Sequence, residues 1–169
     1  MKIAITDACI FIDLYDLDLT VPFFSLDFEI HTSVDVFHEI YPEQQQVLKA
    51  FIHVKNLNVH NIQQNERMII TETNYPSSLS EVDKTVLYLA KKYEAIVLSS
   101  DKVVRNYAKS QTIDYHGMLW IFDCLIEQEI LTKKQASNKL KELISINVIY
   151  QNNVKLVKEF KKRLTKWGE

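Results

Sequence analysis

The sequence predicts an α/β protein, a three-layer α/β/α sandwich on a central parallel sheet, closed by C-terminal helices. Three observations predict it. Short apolar runs alternate with segments of helical period, an order that produces right-handed crossovers and so parallel strands. Two of those runs, KIAIT and AIVLSS, are rich in Ile and Val, as strands covered on both faces are. Acidic residues stand at strand ends or in early helical turns, the edge at which open α/β sheets bind ligands.

The elements follow in order. KIAIT (Lys2–Thr6) opens the sheet, and ACIFIDLYD behind Asp7 is helix-like. EIHTS at 29–33 is a short strand, and SVDVFHEI places Val36 and Ile40 at i, i+4 spacing, enough for one or two helical turns. EQQQVLKAFIHV reads as a helix leading into the strand LNVHNI at 57–62. ERMIITETN at 66–74 is ambiguous, an edge strand or part of a long excursion. LSEVDKTVLYLAKKY is the clearest amphipathic helix, with Ser80 as N-cap and Leu79, Val82, Val86, Leu89 and Ala90 as its apolar stripe. AIVLSS at 95–100 is a second buried strand, DKVVRNYAKS is the helix after it, and TIDYHG at 112–117 is the last core strand. A helix through Glu129, another over Lys133–Ile146 and an amphipathic tail helix follow. The expected division is a core over 1–132 and a helical extension over 133–169 packed on the same domain.

Four acids bear on function. Asp7 and Asp101 each follow a buried strand and precede a helix, where a carboxylate is either an N-cap or a group at the functional edge of the sheet. Glu39, about one and a half turns into its helix, reads alone as a solvated glutamate. Asp83 occupies a first helical turn, where negative charge is favoured and where it can complete the cap with Ser80. Taken singly each has an ordinary structural explanation. Together they are oxygen donors suited to a hard cation such as Mg²⁺ or Mn²⁺.

Their order is the stronger signal. A strand-end Asp, a Glu in an early helix about thirty residues on, an Asp in a first turn, and an Asp eighteen residues later after a strand follow one another. With the stretches ITDACIFIDL, HTSVDVFHEI, LSEVDKTVLYLAKKYEAIVLSSDKVVRNYA and HGMLWIFDCLIEQEILT, this resembles the PIN-domain family of metal-dependent nucleases over residues 1–132. The resemblance implies a metal-dependent endoribonuclease acting on single-stranded or structured RNA, the toxin of a type II toxin–antitoxin pair. It further implies Mg²⁺ or Mn²⁺ as cofactor, an antitoxin as protein partner and a homodimer. Asp7 and Asp101 would be the main metal ligands, with Glu39 and Asp83 completing the shell directly or through water. The alternative is a non-catalytic PIN-like module that binds RNA or protein. The family commonly has Asn, Ser or Thr just after the first Asp, whereas this chain has Ala8 and Cys9; Ser100 can serve as the hydroxyl donor before the last Asp. Lys84, Lys102 and Arg105 are placed to contact phosphate, against their default as solvated surface cations.

Composition narrows the field. Only Gly117 and Gly168 are glycine, which excludes a P-loop and a GxGxxG fingerprint, both of which need glycines for backbone approach to phosphate. Cys9 and Cys124 lack zinc spacing and read as free thiols of a reducing compartment. With no signal-like start and no long apolar run, the chain is expected in the cytoplasm, away from membranes. The five histidines share no ligand spacing and read as structural or exposed. A receiver-like phosphorelay fold would need an acidic pair near the first strand and a late strand-end Lys, and neither is evident. Charge is uneven: residues 1–132 carry −9 and 133–169 carry +7. The tail, with Lys155, Lys158, Lys161, Lys162, Arg163 and Lys166, is a docked helix with a solvated basic face, a source of phosphate affinity, or a surface for an acidic partner. Trp167 is placed to stack on a base or to pack on its own domain.

Overall fold

A computed structural model describes residues 1–168. Five strands, β1 (Lys2–Thr6), β2 (Phe28–Ser33), β3 (Leu57–His60), β4 (Ile96–Leu98) and β5 (Tyr115–His116), form one sheet in the order β3-β2-β1-β4-β5. Every pairing is parallel, with Ile5 opposite His31 and Val97, and Val97 opposite Tyr115. With helices around this sheet, the chain is an α/β/α protein.

Between the strands run α1 (Ala8–Asp16), α2 (Thr20–Phe24), α3 (Val34–Glu39), α4 (Pro42–His53), α5 (Gln64–Glu72), α6 (Glu81–Lys92) and α7 (Lys102–Ser110). After β5 come α8 (Met118–Glu127), α9 (Lys133–Ile146), α10 (Val148–Asn152) and α11 (Val154–Lys166). Contacts divide the chain into two compact units, residues 1–12 with 27–118, and residues 13–26 with 119–169. The second unit takes in the 133–169 extension together with residues 13–26 and 119–132. Among the described residues no helix is long and apolar enough to cross a membrane.

In the first unit, α6 packs on β1, β2 and β4; its Val86, Leu87, Leu89 and Ala90 are buried, as are Ala4, Ile5, Val97 and Leu98 of the strands. Residues 66–74, ambiguous in sequence, mostly lie in the helix α5. The β-branched run Ile69-Ile70-Thr71 suggests a strand. A local cap and burial decide otherwise: Gln63 N–H donates to Glu66 Oε2 (2.8 Å), and Ile70 is buried. Lys92 and Tyr88 of α6 both donate to Glu66 Oε1, at 2.7 and 3.1 Å, tying the two helices together.

In the second unit, Leu14, Leu17, Leu19 and Phe23 are buried, as are Phe122, Leu140, Leu143 and Phe160. The carboxylate of Asp13 is held by Asn147 and Tyr150, both at 3.0 Å, and Arg163 donates to Asp123 at 2.8 Å. Trp167 is buried beside Phe122, with ring centroids 6.3 Å apart, so it packs within its own unit.

Strand pairing also brings together two histidines that lie 29 residues apart. His31 Nδ1 and His60 Nε2 are 2.8 Å apart, His31 Nε2 is 2.9 Å from Glu29 Oε1, and the Tyr93 hydroxyl lies 3.4 Å from His60 Nδ1. One tautomer pattern satisfies the whole chain, each imidazole donating from Nε2 and accepting at Nδ1.

Candidate active site

The strand order reverses between β1 and β4, and at such a switch point the helices leaving adjacent strands diverge and open a crevice. Asp7 stands at the end of β1 and Asp101 three residues beyond β4. The backbones are joined there, Asp7 N–H donating to Leu98 C=O at 3.0 Å.

Asp7 is only 5% exposed. Its Oδ1 accepts the Ala8 N–H at 2.7 Å, and its Oδ2 accepts the Ser99 hydroxyl at 2.7 Å. Burial raises its pKa, the Ser99 and Ala8 hydrogen bonds oppose that rise, and the charge of Asp83 adds to it. Ser99 is fully buried and does double duty, since its Oγ also accepts the Asp101 N–H at 3.1 Å. The hydroxyl expected from Ser100 therefore comes from Ser99. Successive side chains of an extended segment point to opposite faces, so the two serines cannot both reach Asp7. Ser100 contributes its backbone N–H to Cys9 Sγ at 3.4 Å.

Cys9 lies where the family pattern has a polar side chain, and it acts as one. Its thiol donates to Asp7 Oδ2 at 3.6 Å and lies 3.7 Å from Ser99 Oγ. Burial, aided by the charge of Asp7, pushes the thiol pKa up to about 12, so it remains S–H at neutral pH.

The other acids differ in their commitments. Glu39, the last residue of α3, is exposed, yet its pKa is raised, first by desolvation and then by the charges of Asp7, Asp83 and Asp35. Asp83 completes a capping box on α6: Ser80 N–H donates to its Oδ2 at 2.9 Å, and its own N–H donates to Ser80 Oγ at 3.0 Å. Asp101 caps α7, its Oδ1 accepting Val103 N–H at 2.8 Å and Val104 N–H at 3.0 Å. Asp7, Glu39 and Asp83 thus share one electrostatic neighbourhood, whereas Asp101 is tied to Asp7 through its backbone N–H on Ser99 and keeps its carboxylate on α7. None of the four is ion-paired among the described residues. Nor, among those residues, do three His, Cys, Asp or Glu side chains stand as a ready metal cage. The donor set is nonetheless all oxygen and uncompensated, which suits a hard cation that keeps several waters.

Of the cations expected nearby, Arg105 is the most constrained. Its guanidinium lies 5.2 Å from the Tyr115 ring centroid, and Nη1 donates to Ser99 C=O at 3.4 Å. A Cβ on Gly117 would lie 2.7 Å from that Nη1, so glycine leaves room for the arginine. Lys84 pairs with Glu81 at 2.6 Å, and Lys102 is exposed at the start of α7. Ser99 was missed by sequence reasoning, although the Ser-Ser-Asp run after a buried strand was its signal.

A search of curated proteins finds no match. Among solved structures, a domain of a functionally unknown protein from Methanocaldococcus jannaschii DSM 2661 is 21% identical, with a TM-score of 0.48, covering 69% of this chain and 91% of that one. A PilT N-terminus domain protein from Sulfolobus solfataricus P2 is 10% identical, with a TM-score of 0.48, covering 75% of this chain and 95% of that one. Both likenesses are too distant to carry an argument about chemistry. The sequence model of the PIN domain, by contrast, matches residues 3–166, nearly the whole chain, and the protein belongs to the PIN-domain family.

Proposed function

We propose that this protein is a divalent-metal-dependent endoribonuclease, with Mg²⁺ or Mn²⁺ held by Asp7, Glu39, Asp83 and Asp101. The observation that carries the reading is a buried carboxylate, Asp7, that shares its field with Asp83 and Glu39 and, among the described residues, has no cation to offset it. A bound divalent ion would supply that charge, orient a water and stabilise negative charge on phosphate. The chain's own residues do the positioning. Ser99 and Cys9 fix Asp7, and Ser99 also accepts the Asp101 N–H, while Arg105, Lys102 and Ser100 follow on the same edge, suited to the phosphate of the substrate. We extend this reading to the toxin of a type II toxin–antitoxin pair, with an antitoxin as partner and a homodimer as its assembly. A small antitoxin-like reading frame beside the gene would support that role, and its absence would count against it.

One observation favours a second reading, a non-catalytic module that binds RNA or protein. Asp101 Oδ1 is spent on its own helix, and among the described residues no three ligands converge. The full chain decides between the two. The nuclease reading expects cleavage of a mixed RNA pool in Mn²⁺, and loss of cleavage in Asp7→Asn with the fold retained by circular dichroism. It also expects Mn²⁺ at a hundred times its Kd to stabilise the wild type by about 2.7 kcal/mol and Asp7→Asn by much less. No cleavage and no Mn²⁺ effect on melting would select the binding module. Ser99→Ala separates positioning from ligation: it should weaken Mn²⁺ binding without abolishing cleavage at saturating metal.

A further inference from the structure

Away from the four acids, α5, α6 and α7 enclose a cavity of about 300 Å³. Tyr75, Tyr88 and Tyr107 line it, and so do Lys91, Lys92 and Gln111. The rings of Tyr75 and Tyr107 touch at a tilt, with centroids 5.0 Å apart and planes at 50°, which leaves each a face for a third ring. Tyr88 and Lys92 are held in place, because both donate to Glu66, which offsets the Lys92 charge. Lys91 is exposed and, among the described residues, has no anionic partner. The cavity thus offers aromatic faces, an amide and one uncommitted ammonium.

We propose that this cavity holds one nucleotide of a single-stranded RNA, its base against Tyr75 and Tyr107 and its phosphate toward Lys91. The proposal rests on the nuclease reading for the identity of the strand. Three features favour that occupant. Tyrosine faces stack on any base, and a free lysine at the mouth suits the phosphate a base carries. The volume lies at the low end for ligand pockets, which fits a single base with its ribose. The cavity also shares its helices with the acids: Lys91 lies eight residues along α6 from Asp83, a rise of roughly 12 Å, and Tyr107 lies six along α7 from Asp101, roughly 9 Å. A short strand can span both. The Tyr75 hydroxyl is pushed up to about 12 by burial and remains a neutral donor for a base edge.

The test is fluorescence anisotropy of a short labelled oligouridylate with the full chain in EDTA, so that binding is read without cleavage. Tyr107→Ala should weaken binding roughly tenfold, the scale of one lost base stack, and Tyr107→Phe should restore it to within about twofold on the same grounds. Lys91→Gln, at an exposed position that the fold does not need, should weaken binding severalfold and reduce its salt dependence by the share of one phosphate contact. An abasic strand of equal length should be insensitive to Tyr107→Ala. Wild-type affinity in both Tyr107→Ala and Lys91→Gln would overturn the proposal, as would equal losses on the abasic strand. Uridine monophosphate competing as well as the oligomer would overturn the assignment to a strand. Cleavage in Mn²⁺ separates the two readings. A chain that cleaves RNA yet binds it normally as Tyr107→Ala loses the pocket and keeps the nuclease, whereas tenfold weaker binding with no wild-type cleavage does the reverse.

Discussion

At the scale of single residues, Asp7 shows how a functional group is held at a cost to stability. Its folded pKa is raised, chiefly by burial, so the folded state binds the proton more tightly than the unfolded chain does. The stability associated with that proton is fully present below the unfolded carboxylate pKa of about 3.9 and is lost as pH rises through the raised folded value. At neutral pH the buried carboxylate is therefore a liability. Asp7→Asn should melt several degrees higher than wild type at pH 7, and the gain should vanish near pH 3, where both side chains are neutral. The amide can still accept the Ala8 N–H, and Ser99 can turn its proton toward Cys9 and accept from the new N–H. A variant less stable than wild type at pH 7 would show that Asp7 is held by more than Ser99, Ala8 and Cys9. The sequence revealed Asp7 as a strand-end carboxylate. It did not reveal the burial or the Ser99 bridge, because both depend on β1 and β4 lying side by side although 90 residues separate Cys9 from Ser99.

At the scale of elements, helices must end without glycine, since neither Gly117 nor Gly168 follows α4, α6 or α7. Each of those helices closes with paired carbonyl bonds of the Schellman type. Asn56 and Lys55 donate to Phe51 and Ile52, Ala95 and Glu94 to Ala90 and Lys91, and Ile113 and Thr112 to Ala108 and Lys109. The pivots Lys55, Glu94 and Thr112 have φ of 62°, 50° and 57°, a region that costs a non-glycine residue roughly 1–2 kcal/mol. β-branched Thr112 pays most. Thr112→Gly should therefore raise stability by about 1 kcal/mol after the extra freedom of the unfolded glycine is counted, measurable by urea unfolding; a loss would mean that the Thr112 side chain has a packing role. The β2–β3 pair makes a second prediction at this scale. Burial first, then His31 and Lys92, lowers the pKa of His60, so its contribution to stability is present above about pH 6.5 and is lost as pH falls through the folded value. His60→Gln should flatten the fall in melting temperature between pH 7 and 5, and an unchanged slope would assign that fall to other groups. Helices with strong stripes, such as α6, were legible in the sequence, as were their strands. α5 was not, because its β-branched run speaks for a strand until Glu66 and Lys92 are seen together, and the His31–His60 contact was hidden because parallel pairing leaves no spacing to read.

At the scale of the whole molecule, the charge turns positive after residue 132, and one compact unit gathers residues 13–26 with 119–169. The apolar side chains of residues 13–26 belong to the same compact unit as α9 to α11, and no local pattern announces a closure between the first and last parts of a chain. The consequence can be measured on a chain ending at residue 132. It would lose Asn147 and Tyr150 from the buried carboxylate of Asp13, and Arg163 from Asp123. It would also lose Leu140, Leu143, Phe160 and Trp167, all buried. At about 1.5–3 kcal/mol for each such side chain, the loss is comparable with the 5–15 kcal/mol that holds a domain together. The shortened chain should therefore leave Leu14, Leu17, Leu19 and Phe23 without cover and aggregate at micromolar concentration, visible by light scattering, even though its sheet and all four acids are intact in sequence. A monodisperse, cooperatively melting chain of residues 1–132 would show instead that the sheet unit carries its own stability, and that the basic helices are an appendage whose role is to be sought in their charge.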